Sequence, residues 1–318
     1  MDNFTHSLAG WALGQAGLKS KTRKGLAALI LGANMPDIDV IFGWIPWEPL
    51  AMHRGFTHSL VGGVLIMPPM LAGLLLLLDR WQVKRGATFN SGLDMHVGWL
   101  IALCYVGALT HPLLDLQTTY SVQLLSPFDF GWYHADSLFI IDVWLWTLIA
   151  GSIAWSRWQE KRGREWRRPV QSGIAFALVY ISFNIGLSQT ATEEVQRRSP
   201  TATAIFASPP PPWSWNRSMS WREGGAIGRA DFEPFGRGLL PGDPLLPDEM
   251  DDPLVRAAIA SSRDLRQFLA WSILPVATVV RGRCRAKVTI GDGRYFQAGS
   301  NNSRLSHETI VSLKGPGC

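Results

Sequence analysis

Four long blocks of the chain are almost free of charge. Residues 59–78, 97–114 and 170–189 contain no Asp, Glu, Lys or Arg, and residues 138–156 contain one, Asp142. A helix rises about 1.5 Å per residue, so roughly 20 apolar residues reach across the hydrocarbon of a bilayer. The blocks are 18–20 residues long, with tryptophan near their ends, as at a membrane–water boundary. They predict four spanning helices. Two shorter apolar helices precede them, Phe4–Leu18 and Leu26–Met35, separated by the basic stretch Lys19–Lys24. Both are short for a span and predict a hairpin that crosses obliquely or enters one leaflet. The N-terminus has no basic n-region and no small-residue cleavage site, so it is expected to stay in the mature protein.

Beyond residue 195 the pattern changes. Arg197-Arg198-Ser199-Pro200 closes the last apolar block, and Pro209–Pro212 reads as a stiff polyproline spacer. Asp252–Trp271 predicts an amphipathic helix. Lys287–Ile290, Gly291-Asp292-Gly293 and Arg294–Phe296 predict strand, tight turn and strand. The expected fold is an all-α polytopic membrane bundle over residues 1–195, followed by a soluble α+β domain over residues 196–318.

Composition hides this division. The 318 residues are 47% hydrophobic with mean hydropathy +0.08, nearly a soluble average, yet only 17% are charged. A globular chain carries about 25%. A simple soluble enzyme is excluded. The connections Lys19–Lys24, Asp79–Arg85 and Arg157–Arg168 hold 13 Lys and Arg, whereas Asn34–Phe56 and Asp115–Asp136 hold only Arg54. The positive-inside rule puts the first set in the cytoplasm and the second outside. The C-terminal domain then lies outside the cytoplasm of an inner-membrane protein. The net charge of +5 is accounted for by these anchors and by the tail domain, and it implies no nucleic-acid partner. Cys104 reads as packing, while Cys284 and Cys318 share the outer domain and are candidates for pairing. With no Cys-x-x-Cys, a thiolate zinc site is excluded.

Six of the seven histidines lie in the first 142 residues: His6, His53, His58, His96, His111 and His134. Asp2, Asp37, Asp39, Asp115, Asp136 and Asp142 accompany them. On the expected topology all but His96 map to the outer face. His111-Pro112-Leu113-Leu114-Asp115 is an i,i+4 pair on one helix face, able to hold one ion. In Asn34-Met35-Pro36-Asp37-Ile38-Asp39, the two carboxylates are expected to point the same way from an extended turn. In His53-Arg54-Gly55-Phe56-Thr57-His58, Thr57 is the expected helix N-cap. Asp142 sits inside a span, where an ionisable residue is costly and signals function. The candidate ligands are therefore His6, Asp37, His53, His58, His111, Asp115 and Asp142. Imidazole with carboxylate suits Zn first, then Mn or Fe. Taken singly, each has an ordinary explanation: His6 as an interfacial residue, Asp2 as a cap, Asp37 or Asp39 as turn chemistry, Arg54 as a snorkelling side chain.

The segments MDNFTHSLAG, NMPDID, HRGFTHS, HPLLDLQTTY and DSLFIID resemble, in order over residues 1–145, the membrane-bound metal-dependent hydrolases called YdjM-type. FLAWSILP and GDGRY resemble the tail of longer members more loosely. The resemblance implies a metal-dependent hydrolase with His6, Asp37, His58, His111 and Asp115 as ligands. The H-x-x-x-D helix is also similar to zinc-dependent phospholipase C and the S1/P1 nucleases. Those enzymes carry a second His/Glu ligand helix, for which the nearest substitutes here are His134, Asp136 and Asp142.

The chemistry so implied is hydrolysis by metal-activated water at the outer membrane face, with Asp39 or Asp136 as general base and Arg54 stabilising an oxyanion. A site at the lipid–water boundary suits a phospholipid or a lipid-linked phosphodiester. The rival expectation is a non-catalytic membrane protein that binds, senses or transports metal ions. Placement near one face, rather than through the midplane, favours a surface site over a conduit.

Overall fold

The computed structural model describes residues 1–43, 45, 52–242, 244–295 and 305–313. By contact the chain divides into two units, Met1–Ile185 and Gly186–Cys318. The dividing point falls inside one helix, and so does the boundary expected at 195/196.

The first unit is helical. Helix α1 (Asn3–Gln15) begins at Asp2, whose carboxylate accepts from the amides of Phe4 and Thr5 and so caps it. Helix α2 (Gly25–Asn34) follows a short basic turn and runs into the 3-10 segment Met35–Ile41. A π-helical turn, Leu60–Ile66, leads into α3 (Met67–Lys84), and α4 (Val97–Asp115), α5 (Val143–Lys161) and α6 (Arg167–Arg198) complete the helices of the unit. The π turn is capped by Ser59, which accepts from the amide of Gly62, and not by Thr57 as expected.

Among the described residues, three helices are long and apolar enough to cross a membrane: Leu60–Lys84, Val97–Asp115 and Arg167–Arg198. Leu74, Leu77, Phe176 and Val179 are exposed on them, as lipid-facing residues would be. Helix α5, expected as a fourth span, is not among the three. It starts one residue after Asp142 and ends in Arg157, Glu160 and Lys161, with four tryptophans diluting its aliphatic character.

Two clusters hold the bundle together. Leu8, Ala12, Leu145, Ile153 and Val170 join α1, α5 and α6, while Ala28, Leu29, Leu71, Leu100 and Cys104 join α2, α3 and α4. Helix α2 lies unusually close to its neighbours. A Cβ on Gly10 would stand 2.6 Å from the Leu29 carbonyl oxygen, and one on Gly107 would stand 2.5 Å from the same atom. Glycine is required at both, and such small-residue contacts are how apolar helices approach in lipid. The basic connections meet at one end of the bundle, where Lys19 pairs with Glu160 and Arg23 with Asp79.

The second unit contains strands β1 (Thr203–Ser208), β2 (Arg217–Glu223), β3 (Ala226–Glu233), β4 (Gly238–Leu239) and β5 (Leu246–Pro247) in one antiparallel sheet. Ala191 and Val195 of α6 pack on it. Helices α7 (Pro253–Ser261) and α8 (Arg263–Trp271) replace the single helix expected over Asp252–Trp271. Ser262 makes the break, leaving helical geometry and accepting from the Leu265 amide as a new N-cap. A second sheet orders β6 (Pro275–Arg281), β7 (Arg285–Asp292) and β8 (Ser306–Ser312). The strand β7 continues through Gly291 and Asp292 of the expected turn, pairing Val276 with Gly291 and Pro275 with Asp292, so the turn starts only at Gly293. Arg294 and Tyr295, expected to start the return strand, lie in that turn instead, while Phe296 and Cys318, the expected partner of Cys284, lie outside the described residues.

Candidate metal centre

Four segments bring histidines and carboxylates to one buried place in the first unit. The first turn of α1 supplies His6, the Met35–Ile41 segment supplies Asp37, the Phe56–His58 turn supplies His58, and the last turn of α4 supplies His111 and Asp115. His6, His58, His111 and Asp115 are fully buried. His111 and Asp115 face each other at 3.3 Å (Nε2 to Oδ2), the i,i+4 geometry expected of H-x-x-x-D.

The donor atoms converge. Nε2 of His6 lies 3.5 Å from Asp115 Oδ1, and Nε2 of His58 lies 3.4 Å from Asp115 Oδ2. Asp37 Oδ1 lies 3.2 Å from His58 Nε2 and 3.6 Å from His111 Nε2. A tetrahedral shell with bonds of about 2.0–2.2 Å puts neighbouring donors about 3.3–3.6 Å apart. The pairwise spacings here match the edges of such a shell, which four of the five donors would fill. Both ring nitrogens of His6, Nε2 of His111 and Oδ2 of Asp37 and Asp115 are buried with no hydrogen-bond partner. Buried polar atoms left in that state cost about 1–3 kcal/mol each. An ion held among them removes the cost for those that face it, one nitrogen of His6 included.

The supporting contacts orient the rings. Nδ1 of His111 donates to the Ala33 carbonyl oxygen at 2.7 Å, which leaves Nε2 as the lone-pair nitrogen facing the cluster. Because only that nitrogen is available, the groups His6/His111/Asp115 and Asp37/His58/His111 share one donor, which can serve a single ion. His6 and His111 stack, with ring centroids 3.8 Å apart.

Asp39 is turned away from this centre. Its carboxylate takes the amide of Arg54 at 3.0 Å, the hydroxyl of Thr57 at 3.2 Å and Nδ1 of His53 at 3.0 Å, and it lies 3.2 Å from Nδ1 of His58. The expectation that Asp37 and Asp39 point the same way from an extended turn is therefore corrected. Pro36 favours a helical start, and in a 3-10 turn of about three residues positions two apart face different directions. Burial alone would raise both carboxyls. The neighbouring imidazoles, His58 beside Asp37 and His53 with His58 beside Asp39, outweigh it and hold both below the ordinary carboxylate range.

Arg54, in a left-handed backbone conformation with φ 63°, is buried and does not snorkel. Its guanidinium reaches Asp115 at 3.1 Å and Thr118 at 2.7 Å, and it sits over the Tyr120 ring. The amino group of Met1 also contacts Asp115. His53, with a side chain 42% exposed, forms a third group with Asp39 and His58.

Three expected residues lie elsewhere. Asp142 caps α5, accepting from the amides of Trp144 and Leu145, and takes the Tyr180 hydroxyl at 2.9 Å. It is buried, but it belongs to none of the three ligand groups found among the described residues. His134 and Asp136 pair with one another at 2.8 Å and are likewise outside those groups. The Ala33 carbonyl and Thr118 were not signalled by the sequence. A backbone acceptor has no residue signature, and Thr118 is visible only as the middle of Gln117-Thr118-Thr119.

Apolar helices able to cross a bilayer, closed at one end over a buried histidine–aspartate cluster that can hold a metal ion, define a membrane protein with a candidate metal centre. The chain belongs to the YdjM inner membrane protein family, which it matches over residues 1–191. All the cluster residues fall inside that match. No curated protein and no solved structure matches the chain.

Proposed function

We propose that the protein is a polytopic inner-membrane hydrolase that depends on a divalent metal, zinc by preference with Mn or Fe also compatible, bound by His6, Asp37, His58, His111 and Asp115. The observation that carries this is the convergence of their donor atoms at tetrahedral-edge spacing, with several of them buried and unpartnered. When bound, such an ion supplies Lewis-acid polarisation and an acidified water, whose pKa falls from 15.7 to about 7. The chain's own groups do the rest. Asp39 anchors Nδ1 of His53, so the Nε2 of that half-exposed ring is the atom that takes and returns a proton, with Asp39 as its orienter and not the base itself. Arg54, held beside Asp115, offers guanidinium charge to an anionic substrate oxygen. A phosphodiester of a phospholipid or lipid-linked compound suits that charge and the membrane setting. The candidate centre and the basic connections occupy opposite ends of the bundle, which supports a centre at the extracytoplasmic face, with the C-terminal unit on that side.

The test is full-length protein purified in detergent, with metal measured by elemental analysis and hydrolysis followed on phosphodiester and carboxylic ester substrates. Activity should vanish with chelator, return with Zn, and be absent in His111→Ala and Asp115→Asn. An ion bound without any hydrolysis would replace this reading by metal binding or transport. Absence of bound metal would end it.

A further inference from the structure

A groove of ≈ 390 Å³ is walled by α1, α4, α5 and α6; no candidate ligand lines it, but Thr5 and Thr110, the chain neighbours of His6 and His111, do. Its polar wall residues are Thr5, Thr110 and Gln117. All three spend their hydrogen bonds on the protein: Thr5 on Asp2 and on the Trp146 indole, Thr110 on the Gly107 carbonyl, Gln117 on Leu113 and Ser137. The wall therefore asks for no polar ligand. Its volume lies within the range of about 300–1,000 Å³ typical of ligand sites.

Two features say what fills it. Helices α4 and α6 are candidate membrane spans, and Leu113 and Leu178 on the groove are largely exposed, so the groove is continuous with the surface that meets lipid. Its polar residues mark one end only. Thr5 precedes His6 and Thr110 precedes His111, whereas Leu13 lies two turns further along α1, about 10 Å beyond His6. A molecule lying here has hydrocarbon along the groove and its polar part level with the ligand residues.

We infer that this groove binds one acyl chain of a bilayer phospholipid and so sets the phospholipid headgroup at the metal centre. The headgroup half of the inference rests on the hydrolase reading above; the acyl-chain half does not. Ala9 and Leu178 lie on the groove wall and touch no ligand residue in the contacts described. Phenylalanine at the first and tryptophan at the second would fill it.

The experiment places full-length protein in nanodiscs of phosphatidylethanolamine and phosphatidylglycerol, doped with phosphatidylglycerol bearing a diazirine on one acyl chain. Adducts formed on illumination are mapped by mass spectrometry, and metal content is measured on the same samples. Adducts should gather on Leu8, Leu114, Ile149 and Ile181 at several-fold the yield on the exposed Leu74 and Leu77. Ala9→Phe and Leu178→Trp should each reduce the groove adducts and leave those on Leu74 and Leu77 unchanged. Because Leu178 is exposed, its variant keeps the test open if Ala9→Phe does not fold. Even labelling over all apolar surfaces would overturn the inference, as would groove adducts indifferent to filling, or a dimer that both variants abolish. Even labelling with metal retained would sink the groove alone. Groove labelling without metal would sink the hydrolase reading alone.

Discussion

Replacing Gly107 by alanine tests how the centre depends on helix approach. The new Cβ would meet the Leu29 carbonyl oxygen at 2.5 Å, with the Leu29 C and Cα atoms at 3.1 Å. All three are backbone atoms, so no rotamer change gives relief. An ordinary carbon–oxygen approach is about 3.3–3.6 Å, which requires α2 and α4 to part by roughly 0.8–1.1 Å. One helical turn along the same seam, Ala33 and His111 hold their 2.7 Å hydrogen bond. Parted by that amount it opens to about 3.5–3.8 Å, beyond hydrogen-bonding range. Overpacking costs about 1–3 kcal/mol and the lost hydrogen bond about 0.5–1.5 kcal/mol, so stability should fall by about 1.5–4.5 kcal/mol. With His111 no longer oriented, metal affinity should fall about 10–100-fold. Both are measurable on detergent-purified protein, by thermal unfolding and by competition with a chromogenic chelator below the transition. Gly73→Ala is the control, since a Cβ there meets nothing within 4 Å. If Gly107→Ala binds metal as tightly as Gly73→Ala, the helix seam does not set the ligand geometry and the reasoning is wrong.

Asp39→Asn should weaken metal binding about 10–100-fold by removing the anion that orients His53 and His58, in the same chelator competition; unchanged affinity would make Asp39 a loop clamp only. Asp142→Ala should cost about 0.5–2 kcal/mol through the lost α5 cap while metal content stays at the wild-type level. Metal loss in that variant would return Asp142 to the site. In the second unit, burial pushes the Asp292 carboxyl up, but hydrogen bonds from Arg294 and Ser272 hold it below its ordinary value. A lowered folded value stabilises above the unfolded pKa of about 3.9 and is lost as pH falls through the folded value. Protection of the β6 and β7 amides, taken as exchange relative to the intrinsic rate at each pH, should therefore fall below about pH 4 in the wild type. Asp292→Asn should flatten that dependence, and an equally steep profile in the variant would refute the assignment. An impermeant thiol reagent should label Arg237→Cys, whose parent side chain is 78% exposed, on intact cells; labelling only after lysis would put the second unit in the cytoplasm.

The sequence carried what depends on spacing along one helix or on bulk apolarity. His111 and Asp115 share a face because four residues nearly complete a turn. The blocks at 59–78, 97–114 and 170–189 correspond to the helices able to cross a membrane among the described residues. What depended on approach between segments was not legible. Whether Asp37 and Asp39 point together is decided by the 3-10 geometry after Pro36, and the burial of Arg54 by Thr118 and Asp115, 64 and 61 positions away in the chain. Asp142 was read as an ionisable group inside a span. A carboxylate at the first position of a helix has another use, accepting from amides that no carbonyl can reach, and the sequence alone does not separate the two. The break at Ser262 follows the same rule, a local side-chain acceptor outcompeting a continuous amphipathic pattern.

The ligands come from four segments spread between His6 and Asp115, and no two consecutive donors in the chain are supplied by the same helix until His111 and Asp115. An ion therefore finds its full set of donors only after α1, α2, the 56–58 turn and α4 have inserted and docked. Before these segments dock, α4 by itself offers only the His111–Asp115 pair. On the proposed reading, metal uptake would then act as a checkpoint on assembly as well as a step towards activity. A ligand that binds only the finished fold stabilises it by about 2.7 kcal/mol at a concentration 100 times its dissociation constant. Cells short of the ion would hold this protein in a looser, more readily degraded form, and its abundance would follow metal supply.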